Sequence, residues 1–318
     1  MRMSFRHIER YESVRRLLSS VAMRRHGRIS ESTKTTFLFF INRFCEFVGK
    51  NPDELIKERL KHMKSDDIFE RRRHEELVMQ FAIHLQNQGY SPNTIATAVG
   101  SIRAFYRANY MPLTEVYVPP ANPERECKVP TPIEFMRAYE LTENKNIKAF
   151  ILLDKDCGIS IQDLLSLTPE DGSPIYGSIR EQVRRGEVPI HVQITRKKTG
   201  IKYDTFFGEE GYMALNEHLD LSKPKLFKVG ERSIQYGFKR IAEKLGWKGF
   251  TPYSCRKFFK TYLSMAGVNE AVVEYMMGHS LGKVRGAYFI PPVDELRKIY
   301  SSSYDKLRIL LSSVARQA

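Results

Sequence analysis

The sequence is poor in the features that build disulfide scaffolds, metal centres and membrane spans. Its 318 residues include four cysteines, which are scattered and form neither a C-x-x-C pair nor a Cys/His metal spacing. It has no run of about eighteen apolar residues that could cross a bilayer, and no secretory hydrophobic segment opens it. GxxxxGK[ST] and GxGxxG motifs are also absent, so no nucleotide cofactor is indicated. We expect an intracellular protein with reduced thiols that needs neither a metal nor a cofactor.

Positive charge is what the chain has in excess. Lysine and arginine together number 51 against 37 aspartates and glutamates, which gives a formal net charge of +14. An excess of this size favours a polyanionic partner, and nucleic acid is the commonest one. A protein of the membrane surface could share the charge, but the missing apolar runs favour nucleic acid and a cytoplasmic, nucleoid-associated location.

Composition divides the chain into four segments. Residues 1–28 carry eight arginines between apolar residues, which predicts a basic N-terminal arm on DNA phosphates or, alternatively, a solvated helix or frayed tail. Residues 29–118 show helical periodicity. Prolines then become frequent, which predicts an extended linker over 119–130. A second domain is expected over 131–318, ending in a helix.

Helices of the first domain can be placed from their caps and apolar spacing. Ser30 or Ser32 precedes a run in which phenylalanines recur every three or four residues, which is core periodicity. Ser91 followed by Pro92 predicts another helix start. Basic side chains in this domain are candidate phosphate contacts, with ordinary surface charge as the alternative for each. They are Arg71, Arg72, Arg73, Arg103 and Arg107.

The most informative stretch runs from Thr251 to Pro292. It contains three groups that could serve one phosphate: Arg256, His279 and, nine residues later, Tyr288. Each has a plain alternative interpretation, respectively a solvated charge, a helix cap and a core aromatic. Their occurrence together in a basic protein favours a functional site.

Local signals predict how this stretch presents those groups. Thr251 with Pro252 should begin a helix that carries Arg256. Asn269 can cap a second helix that ends at Gly278. His279 would then lie just past a helix C-terminus, where the dipole favours a protonated or donor imidazole.

The spacing of these residues resembles the active-site end of the tyrosine recombinases, the family of phage integrases and Xer-type resolvases. The family's usual His-x-x-Arg motif is here Tyr253-Ser-Cys-Arg256, a Tyr-x-x-Arg form similar to a variant among archaeal integrases. The Gly278-His279 pair followed nine residues later by Tyr288 fits the family pattern closely. The resemblance spans roughly residues 30–311.

The resemblance implies a fold and a partner. The expected fold is mainly α with a small β-sheet, a two-domain clamp of a helical, SAM-like core-binding domain and an α+β catalytic domain. The expected partner is double-stranded DNA, with self-association into a dimer or tetramer on it.

The resemblance also implies a chemistry, transesterification at a DNA phosphodiester without a metal. Tyr288 would attack phosphorus and form a phosphotyrosyl bond, while Arg256 grips two nonbridging oxygens. His279 would donate a further hydrogen bond, and Tyr253 would take the place of the motif's usual histidine. Lys198 would protonate the departing 5′ oxygen.

One position departs from the family pattern. The segment from Gly158 to Leu167 resembles the family's first arginine motif, but Ser160 stands where the catalytic arginine is expected. Either another arginine replaces it in space or the chemistry is weakened. The sequence does not rank the candidates, which are Arg180, Arg184, Arg185 and Arg196.

A β-hairpin is predicted over residues 188–207, with a lysine-rich turn between alternating strands. The family places its catalytic lysine on such a hairpin. Lys198 is our choice, with Lys197 and Lys202 as rivals and solvated turn lysines as the alternative. Lys197 and Lys257 are further candidate DNA contacts.

The C-terminal segment from Val293 to Val314 has apolar or small residues in alternating steps of three and four. This predicts a helix with a coiled-coil-like seam. The seam would pack on its own domain or, by analogy with the family, on a neighbouring protomer.

Taken together, these features predict a site-specific DNA recombinase, or integrase, of a mobile genetic element. Ser160 motivates one alternative, a catalytically weakened relative that binds DNA architecturally. A type IB topoisomerase uses a similar residue set and is a second alternative. A basic nucleic-acid-binding protein of another class is the third.

Overall fold

The computed structural model describes residues 5–23, 27, 29–117, 127–197, 199–282 and 289–310. The chain divides into two compact units, Met1–Glu124 and Arg125–Ala318. The division falls inside the segment predicted as a linker. Each unit has its own hydrophobic core.

The described part of the first unit is helical. Two of its helices begin with the side-chain caps that the sequence predicts. Ser30 Oγ accepts from the Thr33 N–H, and Ser91 Oγ accepts from the Thr94 N–H. Its elements are a 3-10 helix Phe5–Arg10, α1 Glu12–Met23, α2 Glu31–Val48, α3 Pro52–His62, α4 Ile68–Arg71, α5 Arg73–Asn87 and α6 Pro92–Ala108.

The core of the first unit is rich in aromatic side chains. Phe44, Phe81 and Phe105 are fully buried, and Phe44 meets Phe81 edge to face with ring centroids 5.4 Å apart. Burying a side chain of this kind stabilises a fold by roughly 1.5–3 kcal/mol. The phenylalanine periodicity of α2 is therefore core packing, as predicted.

Within the arm expected over residues 1–28, helix α1 packs on the first unit, whereas Arg2, Arg24, Arg25 and Arg28 lie outside the described residues. Val14 and Leu17 on α1 are fully buried in the first unit's core. The backbone N–H and the hydroxyl of Ser13 donate to Asp53 Oδ1 at 3.0 and 2.6 Å. The arginines on α1 are therefore carried by a packed helix and not by a free arm.

The described part of the second unit combines helices with two small antiparallel strand pairs, β1 with β2 and β3 with β4. The predicted hairpin is confirmed: β3 and β4 pair antiparallel from Ile190↔Phe207 to Thr195↔Lys202. The elements of this unit are α7 Pro132–Glu140, α8 Lys145–Cys157, α9 Ile161–Leu164, β1 Gly172–Ser173, β2 Gly177–Ser178, α10 Ile179–Arg184, β3 Ile190–Thr195, β4 Lys202–Phe207, α11 Glu209–Glu217, α12 Glu231–Leu245, α13 Pro252–Met265, α14 Glu270–Met276, a C-terminal helix Val293–Ser303 and a 3-10 helix Tyr304–Lys306.

Helix α8 is the centre of the second unit. Every residue from Ala149 to Cys157 is buried, as expected for a helix enclosed on all sides. Gly158 ends the helix in a left-handed conformation with φ 59°. A side chain there would also collide with Phe259, whose Cδ1 would lie 2.4 Å from an added Cβ. The conformation of Gly158 and its contact with Phe259 therefore fix the direction of the backbone between α8 and Ser160.

The described residues of the C-terminal helix pack on their own unit, which is the first of the two alternatives that its seam left open. Leu296 and Tyr300 are fully buried in the second unit's core. Beyond the helix, the Leu307 carbonyl accepts a hydrogen bond at 2.9 Å from the buried Lys155 ammonium. The end of the predicted seam, Val314, lies outside the described residues.

The four cysteines are free thiols, and Cys45, Cys157 and Cys255 are buried. Burial raises the pKa of the Cys45 thiol to about 12, so this residue is protonated and unreactive at neutral pH. Among the described residues, no helix is both long enough and apolar enough to cross a membrane.

Candidate active site

Arg256 is buried at the start of α13 and is bound by backbone carbonyls from two other segments. The helix begins as predicted, with Pro252 in its first turn and the Thr251 N–H donating to Ser254 Oγ at 3.1 Å. The Arg256 side chain donates from Nη1 to the Gly158 carbonyl at 2.5 Å and from Nη2 to the Met277 carbonyl at 3.0 Å. One guanidinium therefore joins the ends of α8 and α14.

The charge on Arg256 is only weakly compensated by its surroundings. Burial lowers the pKa of Arg256, but a guanidinium stays protonated at any physiological pH. The nearby carboxyl of Asp154 is fully buried, and burial raises its pKa well above the usual range, against the effect of the Arg256 charge. The partners of Arg256 among the described residues are two carbonyls and an imidazole, with no carboxylate in an ion pair, so its positive charge remains available to an anionic ligand.

His279 follows α14 and contacts the same guanidinium. Nη2 of Arg256 is hydrogen-bonded to Nε2 of His279, and Nδ1 of His279 is hydrogen-bonded to Glu274. Glu274 is also bound by the ammonium of Lys260. The structure thus brings Arg256 and His279 together from positions 23 residues apart in sequence.

Glycine is required immediately before the histidine. Gly278 has φ 65°, in the left-handed region. A Cβ at this position would also lie 2.5 Å from Cε1 of Tyr203 on β4. The Gly-His pair of the sequence is therefore needed both to end α14 and to let the hairpin approach it.

His279 is a neutral ring that donates through Nδ1, so of the two states that the helix dipole predicted, protonated or donor, the structure has the donor. An arginine can only donate, so Nε2 of His279 accepts from Arg256 and the ring proton is on Nδ1, facing Glu274. Burial and the Arg256 charge lower the pKa of His279, although Glu274 acts in the opposite direction. The ring is therefore neutral at pH 7.

Ser160 has a structural role in the described site. It is the N-cap of the short helix α9, and its Oγ accepts from the Asp163 N–H at 3.3 Å. Its hydroxyl donates to Asp163 Oδ2 at 2.6 Å. The other carboxylate oxygen of Asp163 accepts from the Lys197 N–H at 3.2 Å, which fastens the hairpin turn to α9.

Of the four arginines proposed to replace the missing one, the structure places Arg196 at the site. Its Nη1 donates to the Gly278 carbonyl at 2.7 Å. Arg180 is bound instead to the Leu221 carbonyl and to Glu170. Arg185 and Arg184 are exposed on or next to α10, and Arg185 pairs with Glu187 at 2.8 Å.

The remaining predicted catalytic residues are placed only in part. Tyr253 is 56% exposed on the first turn of α13, and the ammonium of Lys257 lies 5.9 Å from its ring centroid. Lys197 and Lys202 are exposed at the two ends of the hairpin turn. The predicted nucleophile Tyr288 and the predicted general acid Lys198 both lie outside the described residues.

The candidate DNA contacts of the first unit lie on its surface around α4, α5 and α6. Arg72 is bound to the Thr114 hydroxyl and lies 3.8 Å from Glu115, while Arg73 lies 3.6 Å from Glu76. Partly exposed ion pairs of this kind contribute little, about 0–1 kcal/mol, so a phosphate can replace the carboxylate at small cost. The exposed members of the set are Arg71, Arg73 and Arg107, and the half-buried members are Arg72 and Arg103.

Sequence reasoning missed two residues of this site, Glu274 and Asp154. Glu274 precedes His279 by five residues, and a glutamate at the end of a predicted helix before a histidine is a usable signal for an orienting partner. Asp154 directly follows the apolar run of residues 149–153, and an acid next to such a run is a signal for a buried polar site.

The chain has recognisable relatives among curated proteins. No family model matches it. It is 24% identical over 231 residues to the tyrosine recombinase XerA of Thermococcus kodakarensis, covering 69% of this chain and 78% of that protein. It is also 24% identical over 311 residues to the tyrosine recombinase XerC of Pelotomaculum thermopropionicum, covering 88% of this chain and 93% of that protein.

Solved structures show the same fold. The Tn1549 transposon integrase in complex with circular intermediate DNA matches with a TM-score of 0.55 and 19% identity, over 90% of this chain and 98% of that one. A lambda integrase dimer bound to a core site matches with a TM-score of 0.58 and 11% identity, over 85% and 93%. The chain is therefore similar to the tyrosine recombinases in sequence along most of its length, and its fold is that of their integrases.

Proposed function

We propose that this chain is a site-specific DNA recombinase of the integrase type, which cuts and rejoins DNA through a 3′-phosphotyrosyl intermediate. The observation that supports this most strongly is the contact of Arg256 with His279. A buried, weakly compensated guanidinium beside a neutral imidazole can bind and polarise a phosphodiester. The similarity to tyrosine recombinases over most of the chain supports the same reaction.

The reaction conserves the number of phosphoester bonds. The phenolic oxygen of Tyr288 attacks the scissile phosphorus, the bond to the 5′ oxygen breaks, and the tyrosine carries the 3′ phosphate. The 5′ oxygen leaves as a hydroxyl with one proton. A 5′ hydroxyl from another strand can then attack the phosphotyrosyl bond and release the tyrosine, which completes strand exchange without a cofactor.

The described residues next to Tyr288 support its placement near this site. Phe289 packs against Tyr275 of α14, with ring centroids 5.9 Å apart. Tyr275 is in turn fixed by its hydroxyl, which donates to Asp204 Oδ2 on β4 at 2.6 Å. The chain that follows Tyr288 is thus attached to the helix whose end carries His279.

Two proton transfers accompany the cleavage. The phenol of Tyr288 must lose a proton. When the Arg256 guanidinium donates to a bound phosphate instead of to His279, Nε2 of His279 is free to accept that proton. Glu274 stabilises the imidazolium that forms. The 5′ oxygen needs a proton, which we assign to Lys198. The Tyr253 hydroxyl supplies a hydrogen bond to the phosphate where the family's usual motif has a histidine.

DNA binding and assembly follow from the same proposal. The net charge of +14 and the surface arginines of the first unit suit a duplex held by phosphate contacts. A lambda integrase of similar fold is a dimer on its core site, and we propose that this chain also self-associates on DNA, as a dimer or tetramer. With DNA as its substrate, we propose that the protein acts at the nucleoid.

Covalent capture tests the proposal. The full chain is incubated with a randomised pool of duplexes that carry a nick, so that a short 5′ product diffuses away and the adduct persists. We expect a denaturant-resistant protein–DNA adduct with the wild-type chain and none with Tyr288→Phe, although that variant should still bind DNA. A wild-type chain that binds the pool and forms no adduct would contradict the proposal.

A further inference from the structure

The proposed chemistry needs more positive charge than Arg256 alone provides. The phosphorus centre gains negative charge as the tyrosine oxygen approaches, and preorganised donors must meet that charge. Ser160 cannot contribute a charge, because its side chain is neutral and is used in capping α9. A second cation must therefore come from another part of the second unit.

Arg196 is the first residue after β3, and the fold places it beside Arg256. Arg196 Nη1 donates to the Gly278 carbonyl at 2.7 Å, while Arg256 Nη2 donates to the Met277 carbonyl at 3.0 Å. The two guanidinium groups thus bind consecutive carbonyls of one backbone segment, immediately before His279. They reach this segment from positions 82 and 21 residues away in sequence.

The hairpin that carries Arg196 is fastened to the Ser160 segment. Asp163 accepts the Ser160 hydroxyl on Oδ2 at 2.6 Å and the Lys197 N–H on Oδ1 at 3.2 Å. The turn itself is closed by the Arg196 N–H, which donates to the Ile201 carbonyl at 2.8 Å. A single carboxylate, that of Asp163, therefore links the backbone next to Arg196 to Ser160, the position where the family pattern expects an arginine.

The charge of Arg196 is free to act on a ligand. Within the described ranges, no carboxylate forms an ion pair with Arg196, whereas Arg180 and Arg185 are paired with Glu170 and Glu187. The Arg196 charge also contributes to lowering the pKa of His279, after burial and Arg256. Arg196 is therefore close enough to this site for its charge to be felt there.

We propose that Arg196 is the second phosphate-binding arginine of this site. It would supply the positive charge that the family's first motif provides from the position that Ser160 occupies here. Its guanidinium would bind a nonbridging oxygen of the scissile phosphate opposite Arg256. This inference rests on the proposed function, since it assigns a residue to the same reaction. It makes the chain an active enzyme despite Ser160.

The test measures the rate of adduct formation by the full chain on a nicked duplex that has been selected with the wild-type chain from the randomised pool. Arg196→Ala is compared with Arg184→Ala, which removes the same charge from an exposed position on α10. Each is assayed on the phosphodiester and on a duplex with a methylphosphonate at the scissile position, using both diastereomers. The methylphosphonate replaces one charged oxygen by a methyl group, so the reacting centre carries one negative charge fewer.

We expect Arg196→Ala to slow adduct formation about a hundredfold on the phosphodiester, which is typical for loss of one electrostatic donor. On the methylphosphonate, Arg196→Ala should slow adduct formation by less than about tenfold, because the reacting centre carries less negative charge for an arginine to stabilise. Arg184→Ala should match the wild type on both. Thermal unfolding and DNA affinity of each variant are measured in parallel.

Two results would overturn the assignment of Arg196 while leaving the proposed function intact. One is an Arg196→Ala variant as fast as the wild type on the phosphodiester. The other is a variant slowed equally on both substrates, which would mean that Arg196 only holds Gly278 in place. A wild-type chain that forms no adduct on any duplex overturns the proposed function, and the role of Arg196 with it.

Discussion

The hydroxyl of Ser160 donates to the carboxylate of Asp163 at 2.6 Å, and its oxygen accepts the backbone N–H of the same residue at 3.3 Å. Ser160 is therefore a helix cap at a position where an arginine is expected. Changing Ser160 to arginine therefore tests whether the site lacks a phosphate-binding arginine or takes it from another position.

Ser160→Arg should not restore activity, because the needed charge already comes from Arg196. We expect the rate of adduct formation to stay flat or fall, and the free energy of unfolding to drop by about 1 kcal/mol through loss of the cap. Ser160→Ala is the control that loses the cap without adding charge. A rise of about a hundredfold in adduct formation with Ser160→Arg would mean that the site lacks a donor.

Glu274→Gln should lower the pKa of His279 further below its ordinary value. The carboxylate of Glu274 accepts from Nδ1 and favours the imidazolium, so its removal leaves burial and Arg256 less opposed. NMR titration of the His279 ring measures this directly. Glu270→Gln is the matched control, because Glu270 contacts Lys260 at 3.5 Å and lies on the exposed start of α14.

Adduct formation should also slow in Glu274→Gln, since the neutral amide stabilises the imidazolium less well. If the His279 titration is the same in Glu274→Gln and the wild type, the contact between the two side chains does not exist in solution.

His74 in the first unit should make stability depend on pH. Burial lowers the pKa of His74 to about 4, from an ordinary value of 6.5, and its Nδ1 lies 2.7 Å from the Tyr106 hydroxyl oxygen. Between these values the unfolded chain binds more protons than the folded chain. The free energy of unfolding should therefore fall as the pH drops from about 6.5 towards 4.

Urea titrations at several pH values measure the effect of His74. We expect His74→Gln, which cannot gain a proton in this range, to show a shallower dependence than the wild type. Parallel curves for the two chains would show that His74 titrates normally in the folded state.

Truncation after Pro292 should prevent the second unit from folding. The shortened chain loses Leu296 and Tyr300 from the core and the Leu307 carbonyl that binds Lys155. We expect aggregation or loss of a cooperative thermal transition. A chain ending at Leu310 retains all of these contacts and should fold. If truncation after Pro292 left a folded monomer with weaker assembly on DNA, the helix would act between protomers after all.

Features of the site that depend on local sequence could be predicted. Thr251 with Pro252 and Ser91 with Pro92 begin helices because a cap and a proline act on the first turn alone. The hairpin over residues 188–207 is likewise predictable from alternating strands on either side of a lysine-rich turn. These signals involve residues that are close in sequence, so no knowledge of the tertiary fold is needed.

Features that depend on contacts distant in sequence could not be predicted. Four arginines were equivalent in sequence, and only the tertiary fold brings Arg196 to Gly278, 82 residues away. The helix dipole left two states of His279 open, protonated or donor, and burial with the Arg256 charge decides between them. The seam of the C-terminal helix has a periodicity that suits packing within a chain as well as between chains, so the pattern alone could not choose.

The most direct measurement is the position of the covalent bond in the protein–DNA adduct. The adduct is digested with trypsin and nuclease, and the nucleotide-bearing peptide is sequenced by mass spectrometry. We expect the modification on Tyr288, in the tryptic peptide Gly286–Arg297, joined to a 3′ phosphate. A modification on Tyr253 or on any other residue would contradict the proposed nucleophile and the site built around it.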